Sequence, residues 1–189
     1  MLLTVSGISA ESEIQKLLTS AHIEEWLQQD LFQIKWWLLL GLTIFAFLLW
    51  WRLLAKRRLP EVILYAVLIM IVMMGVDEYG EELPLWDYPI DILPIFPVIT
   101  ATNLLILPLA FSLVYQNFST WISFARITIL VAALVSFVIE LGMAWGGYYQ
   151  LLNWKYYYSF PVYIVVALFI RWTVIKIFGI AERAKKHTG

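Results

Sequence analysis

The sequence predicts an all-α integral membrane helical bundle of about five spans, preceded by an amphipathic surface helix. Three observations predict it. Of the 189 residues, 62% are hydrophobic and 14% charged, whereas a soluble domain is about half apolar and a quarter charged. The apolar residues fall in long runs, which is the signature of membrane spans. Tryptophan and tyrosine gather where those runs end, as in the aromatic belts of a bilayer interface. A single membrane domain over 35–179 follows, with a helical segment over 1–34 before it and a basic tail over 180–189 after it.

The first seven residues have neither a basic stretch nor a long apolar core and do not read as a secretory signal. Within 8–34, Ile14, Leu17, Leu18 and Ala21 share one helical face, and Trp26, Leu27, Leu31 and Ile34 continue a stripe. Five carboxylates there face Lys16 alone. Either a surface helix or a membrane-interface helix fits, although interface helices favour a basic polar face.

The first span covers 36–55, with Trp36 and Trp37 at one end and Trp50 and Trp51 at the other. Arg52, Lys56, Arg57 and Arg58 follow, and Pro60 stops the helix. The second span, 62–76, is short, with Glu61 and Asp77 at its two interfaces. The uncharged run over 92–125 is too long for one crossing, and Gln116, Asn117, Ser119 and Thr120 divide it into a third span at 93–115 and a fourth at 121–145. Pro108 is expected to kink the third. The fifth covers 159–178, behind a girdle of Trp154 and Tyr156 to Tyr158.

Five spans sort the basic residues. Lys56, Arg57, Arg58, Arg126, Arg183, Lys185 and Lys186 fall on one side, and Lys16, Lys35 and Lys155 on the other. The positive-inside rule then puts the N-terminus outside and the C-terminus in the cytoplasm.

Between the second and third spans lies an acidic, aromatic, proline-containing stretch, 77–94. It carries six of the fourteen carboxylates (Asp77, Glu78, Glu81, Glu82, Asp87 and Asp91), Trp86, and no base. Such a surface attracts cations or a basic partner. It lacks the spacing of a calcium loop.

Arg126, Glu140 and Arg171 interrupt apolar helices, and an intramembrane charge suggests function because burying it is costly. Both arginines are placed toward the cytoplasmic ends of their helices, where snorkelling to lipid phosphates also explains them. Glu140 lies about 8 to 12 Å inside its span and has too short a side chain to snorkel well. Asn103 is at a similar depth on the third span, with Thr100 beside it. Thr100, Asn103 and Glu140 define a candidate polar pocket open to the outside. A helix-bridging role fits Asn103 and Glu140 equally. Gly142 and Gly146 have the small-xxx-small spacing that permits close helix approach and self-association.

There is no cysteine, neither histidine lies in a span, and no nucleophile-elbow, zinc-protease or phosphate-loop pattern occurs. No catalytic residue, cofactor, metal site or nucleic-acid surface is expected. The leading function is a non-enzymatic membrane subunit that binds a partner protein or small ligand on its outer face through 77–94. The alternative is a small transporter or channel subunit using the pocket at Glu140 and Asn103.

Trp86-Asp87-Tyr88-Pro89, Tyr115-Gln116, Glu140, Gly147-Tyr148, Trp154 and Tyr158-Ser159-Phe160-Pro161 resemble a family of small multi-pass membrane proteins of unknown function from spore-forming Firmicutes, the Bacillus and Clostridium relatives. The likeness covers about 60–178. It implies a bacterial inner-membrane protein tied to sporulation or the cell envelope. The partner expected for the binding role is a membrane or envelope protein. It carries no catalytic role. The acidic N-terminal 34 residues look like an addition to the shorter family form.

Overall fold

The computed structural model describes residues 10–90, 92–94 and 106–187. Helices α1 (Ala10–Glu25), α2 (Ile34–Leu53), α3 (Leu59–Glu82), α4 (Leu107–Asn117), α5 (Trp121–Leu134), α6 (Glu140–Gly146) and α7 (Tyr156–His187) make up almost all of it. The fold is all-α apart from a two-residue antiparallel ladder that pairs β1 (Trp86–Asp87) with β2 (Gln150–Leu151), Trp86 opposite Leu151 and Asp87 opposite Gln150. Four helical stretches, Ile34–Leu53, Lys56–Glu82, Trp121–Gly146 and Tyr156–Ala184, are long and apolar enough to cross a membrane. The expected third span is described only as α4, eleven residues long; the rest of it, with Thr100 and Asn103, lies outside the described residues. Pro108 falls in the first described turn of α4; the residues before Ile106, against which a kink would show, lie outside the described residues.

Helix α3 runs well past the expected 62–76. Pro60 opens it rather than only stopping its predecessor. Val62, Tyr65, Ala66, Ile69, Met73, Asp77 and Gly80 are buried along it, a three-four spacing that keeps one stripe on the core. Asp77 and Gly80 belong to that stripe, so the acidic stretch begins as helix and leaves it only after Glu82.

The core lies between α3, α4, α5 and α7. Tyr65 stacks on Tyr115 at 4.4 Å, and Phe124 meets both rings edge-on. Helix α2 leans on α4 and exposes most of its apolar surface; Trp50 fixes it by donating its indole N–H to Ser112 Oγ at 2.8 Å. The Gln116 side chain clamps the α2–α3 turn. It accepts from Ala55 N at 2.8 Å and donates to Leu53 O at 2.9 Å. Helix α1 is exposed over 12–25 apart from the half-buried Ile23. The turn between α1 and α2 holds Phe32 at φ 64°, an uncommon conformation for a bulky side chain, and its ring packs on Trp36 and Trp37.

Helices α5 and α6 are one continuous rod joined by a π-helical turn over Val135–Ile139. Phe124, Thr128, Ala132, Ser136 and Glu140 are all buried on it. At 3.6 residues per turn a strict four-residue spacing drifts by roughly 40° at each step. The wider π turn takes up that drift and keeps Glu140 facing the core. Gly147 ends the rod at φ 73°, with Tyr148 N donating to Met143 O at 2.9 Å, the left-handed cap that glycine favours.

The stretch after α3 folds back over the end of the bundle. Leu85 N caps α3 through Gly80 O at 2.8 Å. Leu85 O accepts from the N–H groups of Leu152, Asn153 and Trp154 at 2.9 to 3.0 Å, which ties this cap to the start of α7. The Trp86 indole lies flat against Gly80, where a Cβ would overlap the ring. Gly80→Ala is therefore expected to cost about 1–3 kcal/mol through overpacking, measured as a lower Tm in detergent. Gly75→Ala, at a position with open space around it, is expected to leave Tm unchanged or raise it.

Candidate functional site

The capped end of the bundle encloses two carboxyl groups. Asp77 comes from α3, Glu140 from the first position of α6, and both are over nine-tenths buried. Around them stand Met73, Trp86, Tyr88, Tyr149, Trp154, Ser159 and Tyr163, and together they line a cavity of about 20 Å³, the space of roughly one water molecule. Tyr88 donates its O–H to Asp77 Oδ1 at 3.2 Å. Tyr163 donates to Glu140 Oε1 at 2.5 Å. The Trp154 indole donates to Ser159 Oγ at 3.0 Å. Trp86 and Trp154 meet edge-on at 5.1 Å, and Tyr88 and Tyr149 tilt together at the same separation.

Burial first, and the Asp77 carboxyl second, push the Tyr88 phenol well above its ordinary value; burial raises Tyr149 likewise. Both phenols are thus neutral, and Tyr88 is held as a hydrogen-bond donor to Asp77.

The opposite end has a different polar cluster. Arg58 and Glu61 pair at 2.9 Å, and Tyr115 donates its O–H to Glu61 Oε1. Arg171 is 3% exposed and lies over the rings of Phe124, Trp121 and Tyr115 at 4.3, 5.1 and 5.5 Å. It donates to the carbonyls of Phe118, at 2.7 Å, and Ser119, just past the end of α4. Helix ends leave carbonyls without intrahelical partners, and a guanidinium with several fixed donors satisfies them. Arg171 is an internal fastener here and does not snorkel. Arg126 is exposed on α5.

The residues expected to form an outer pocket are brought together only in part. Glu140 is in the cavity, while Thr100 and Asn103 lie outside the described residues. Of the acidic stretch, Asp77 and Trp86 turn inward, Glu78 and Glu81 are half-buried, and Glu82 and Asp87 face outward; Asp91 lies outside the described residues. The α5–α7 hairpin supplies the partners that the sequence left unassigned. Tyr163 and Glu140 stand at nearly equal chain distances from the turn near residue 151, so an antiparallel hairpin pairs them. Tyr88, Tyr149 and Trp154 carry no such signal, because an interfacial aromatic and a cavity-lining one look alike in sequence.

No family model, curated protein or solved structure matches this chain. Among the described residues no group of three or more histidine, cysteine or carboxylate side chains could hold a metal ion.

Tyr163→Phe leaves Glu140 Oε1 without its donor. The expected loss is about 1–3 kcal/mol, the cost of an unsatisfied buried polar atom, read as a lower Tm. Tyr157→Phe, at an exposed position, is the matched control and is expected to leave Tm within 1 °C of the parent, as changes away from buried features are usually within about 0.5 kcal/mol.

Proposed function

We propose that this chain is a non-enzymatic multi-pass protein of a bacterial cell membrane, with its N-terminus outside and its C-terminus in the cytoplasm, and that its capped end binds a basic face of a membrane or envelope protein. The observation that carries this reading is the division of labour within 77–94. Trp86 and Tyr88 anchor the stretch in the bundle, while Glu82 and Asp87 remain exposed beside the exposed apolar side chains of Tyr79 and Leu83. A fixed surface that combines carboxylates with apolar groups suits a basic, partly apolar partner, because fixing the surface in advance lowers the entropy lost on binding. Charge complementarity supplies specificity and speeds encounter.

The exposed carboxylates separate this role from stability. In affinity purification from native membranes in mild detergent, followed by mass spectrometry, Glu82→Gln with Asp87→Asn is expected to lower recovery of a stoichiometric partner at least tenfold, with Tm unchanged. Raising the salt concentration is expected to weaken recovery from the parent protein as well. A partner recovered equally well with and without these charges overturns the reading.

A second reading, a small transporter or channel subunit, is favoured by one observation. Thr128 and Ser136 are fully buried on the same face of the α5 rod as Glu140, and their hydroxyls have no hydrogen-bond partner. They extend polar groups from the cavity toward the Arg171 end. Ion or solute flux in proteoliposomes that is abolished by Thr128→Val or Ser136→Ala would favour it over partner binding.

A further inference from the structure

Three buried polar atoms on the cavity-lining residues make no hydrogen bond among the described residues: Asp77 Oδ2, Glu140 Oε2 and Trp86 Nε1. The three residues are 6%, 4% and 5% exposed. Two of the atoms are carboxyl oxygens and the third is an indole N–H. With one carboxyl protonated, one water accepts from the indole and from that carboxyl's O–H and donates to the other carboxyl, and so satisfies all three. The cavity has room for one such water, about 20 Å³. The other titratable groups acting on the pair are Glu81 from α3, Tyr88 and Tyr149 from the cap, and Tyr163 from α7. Among the described residues none of these is a base. Two carboxyls confined to one site do not both carry charge when nothing positive faces them.

We propose that Asp77, Glu140 and one water between them form a proton-binding site that holds a single proton shared by the two carboxyls. The proton comes from hydronium in the bulk solvent and returns there. One O–H bond forms on a carboxyl oxygen as one breaks in hydronium, and nothing is oxidised or reduced. The cavity then carries one negative charge. Tyr88 and Trp86, which belong to the cap, touch the site directly, so occupancy by the proton is coupled to closure of the cap. This inference stands independently of partner binding at the outer surface.

The test is the infrared absorption of protonated carboxyl groups in the full-length protein in lipid, followed against pH at fixed sodium and against sodium at fixed pH. At neutral pH the parent protein is expected to show one buried protonated-carboxyl band that moves on transfer to deuterium oxide. Asp77→Asn and Glu140→Gln are each expected to lose that band, because the neutral amide leaves the remaining carboxyl to carry the single negative charge without a proton. Trp86→Phe keeps both carboxyls but removes the donor to the water, and is expected to shift the band without abolishing it. That variant and the parent spectrum keep the test decisive where the amide variants fold poorly. The absence of the band in the parent at neutral pH overturns the proposal. So does a band that survives in one amide variant, which would make the carboxyls independent, and so does its removal by sodium at constant pH, which would make the ligand a metal cation.

Discussion

The constraint on which the rest of this structure depends is the burial of two carboxyl groups at one end of an apolar bundle, with no base beside them among the described residues. A buried polar group is costly unless it is hydrogen-bonded. Asp77 meets that demand only when the cap is closed, because Tyr88 reaches it from the stretch after α3. Glu140 is served from within the bundle, by Tyr163 of α7. Cap, α3, α6 and α7 are therefore bound into one arrangement by polar demand as well as by apolar packing. The π-helical turn before Glu140 serves the same end, since it aims that carboxyl at the cavity.

The opposite end meets its polar demand with cations. Arg171 fastens the carbonyls beyond α4 and sits among three aromatic rings, and Arg58 and Glu61 pair beside it. Between the two ends the core is small and tightly matched, with Ala132 and Ala167 fully buried on α5 and α7. Apolar packing alone gives little preference between helix arrangements in lipid, where the tails are as apolar as leucine. Polar clusters at both ends supply a preference that packing does not, because their hydrogen bonds join particular residues of different elements.

Much of this was legible in the chain. The apolar runs gave the helices, and the tryptophan pairs marked the ends of α2. Glu140 stands out in the sequence as a lone carboxylate within a long apolar run. The end of α3 was misplaced because charge at Asp77 looked like the end of a span, whereas Asp77 and Gly80 continue the buried three-four stripe to Glu82. Gln116 read as a divider between helices, and it is one, but its clamp on the α2–α3 turn depends on a contact between residues over sixty apart. Arg171 reads first as a snorkelling residue, since the carbonyls it satisfies lie past the end of a different helix. Pairings of this kind come from tertiary geometry, which periodicity does not encode.

The measurement that tests the central claim most directly is a disulfide across the cap. Asp87 and Gln150 are direct partners in the β1–β2 ladder, and partners in an antiparallel pair have Cα atoms about 4.5 to 5.5 Å apart, within the range that a disulfide spans. The native chain contains no cysteine, so Asp87→Cys with Gln150→Cys gives a signal without background. If the cap closes over Asp77 and Glu140 as described, mild oxidation in native membranes yields a nearly complete intramolecular cross-link and a higher Tm. Two cysteines that stay reduced and react independently with a thiol reagent would contradict the closed cap, and with it the enclosed carboxyl pair.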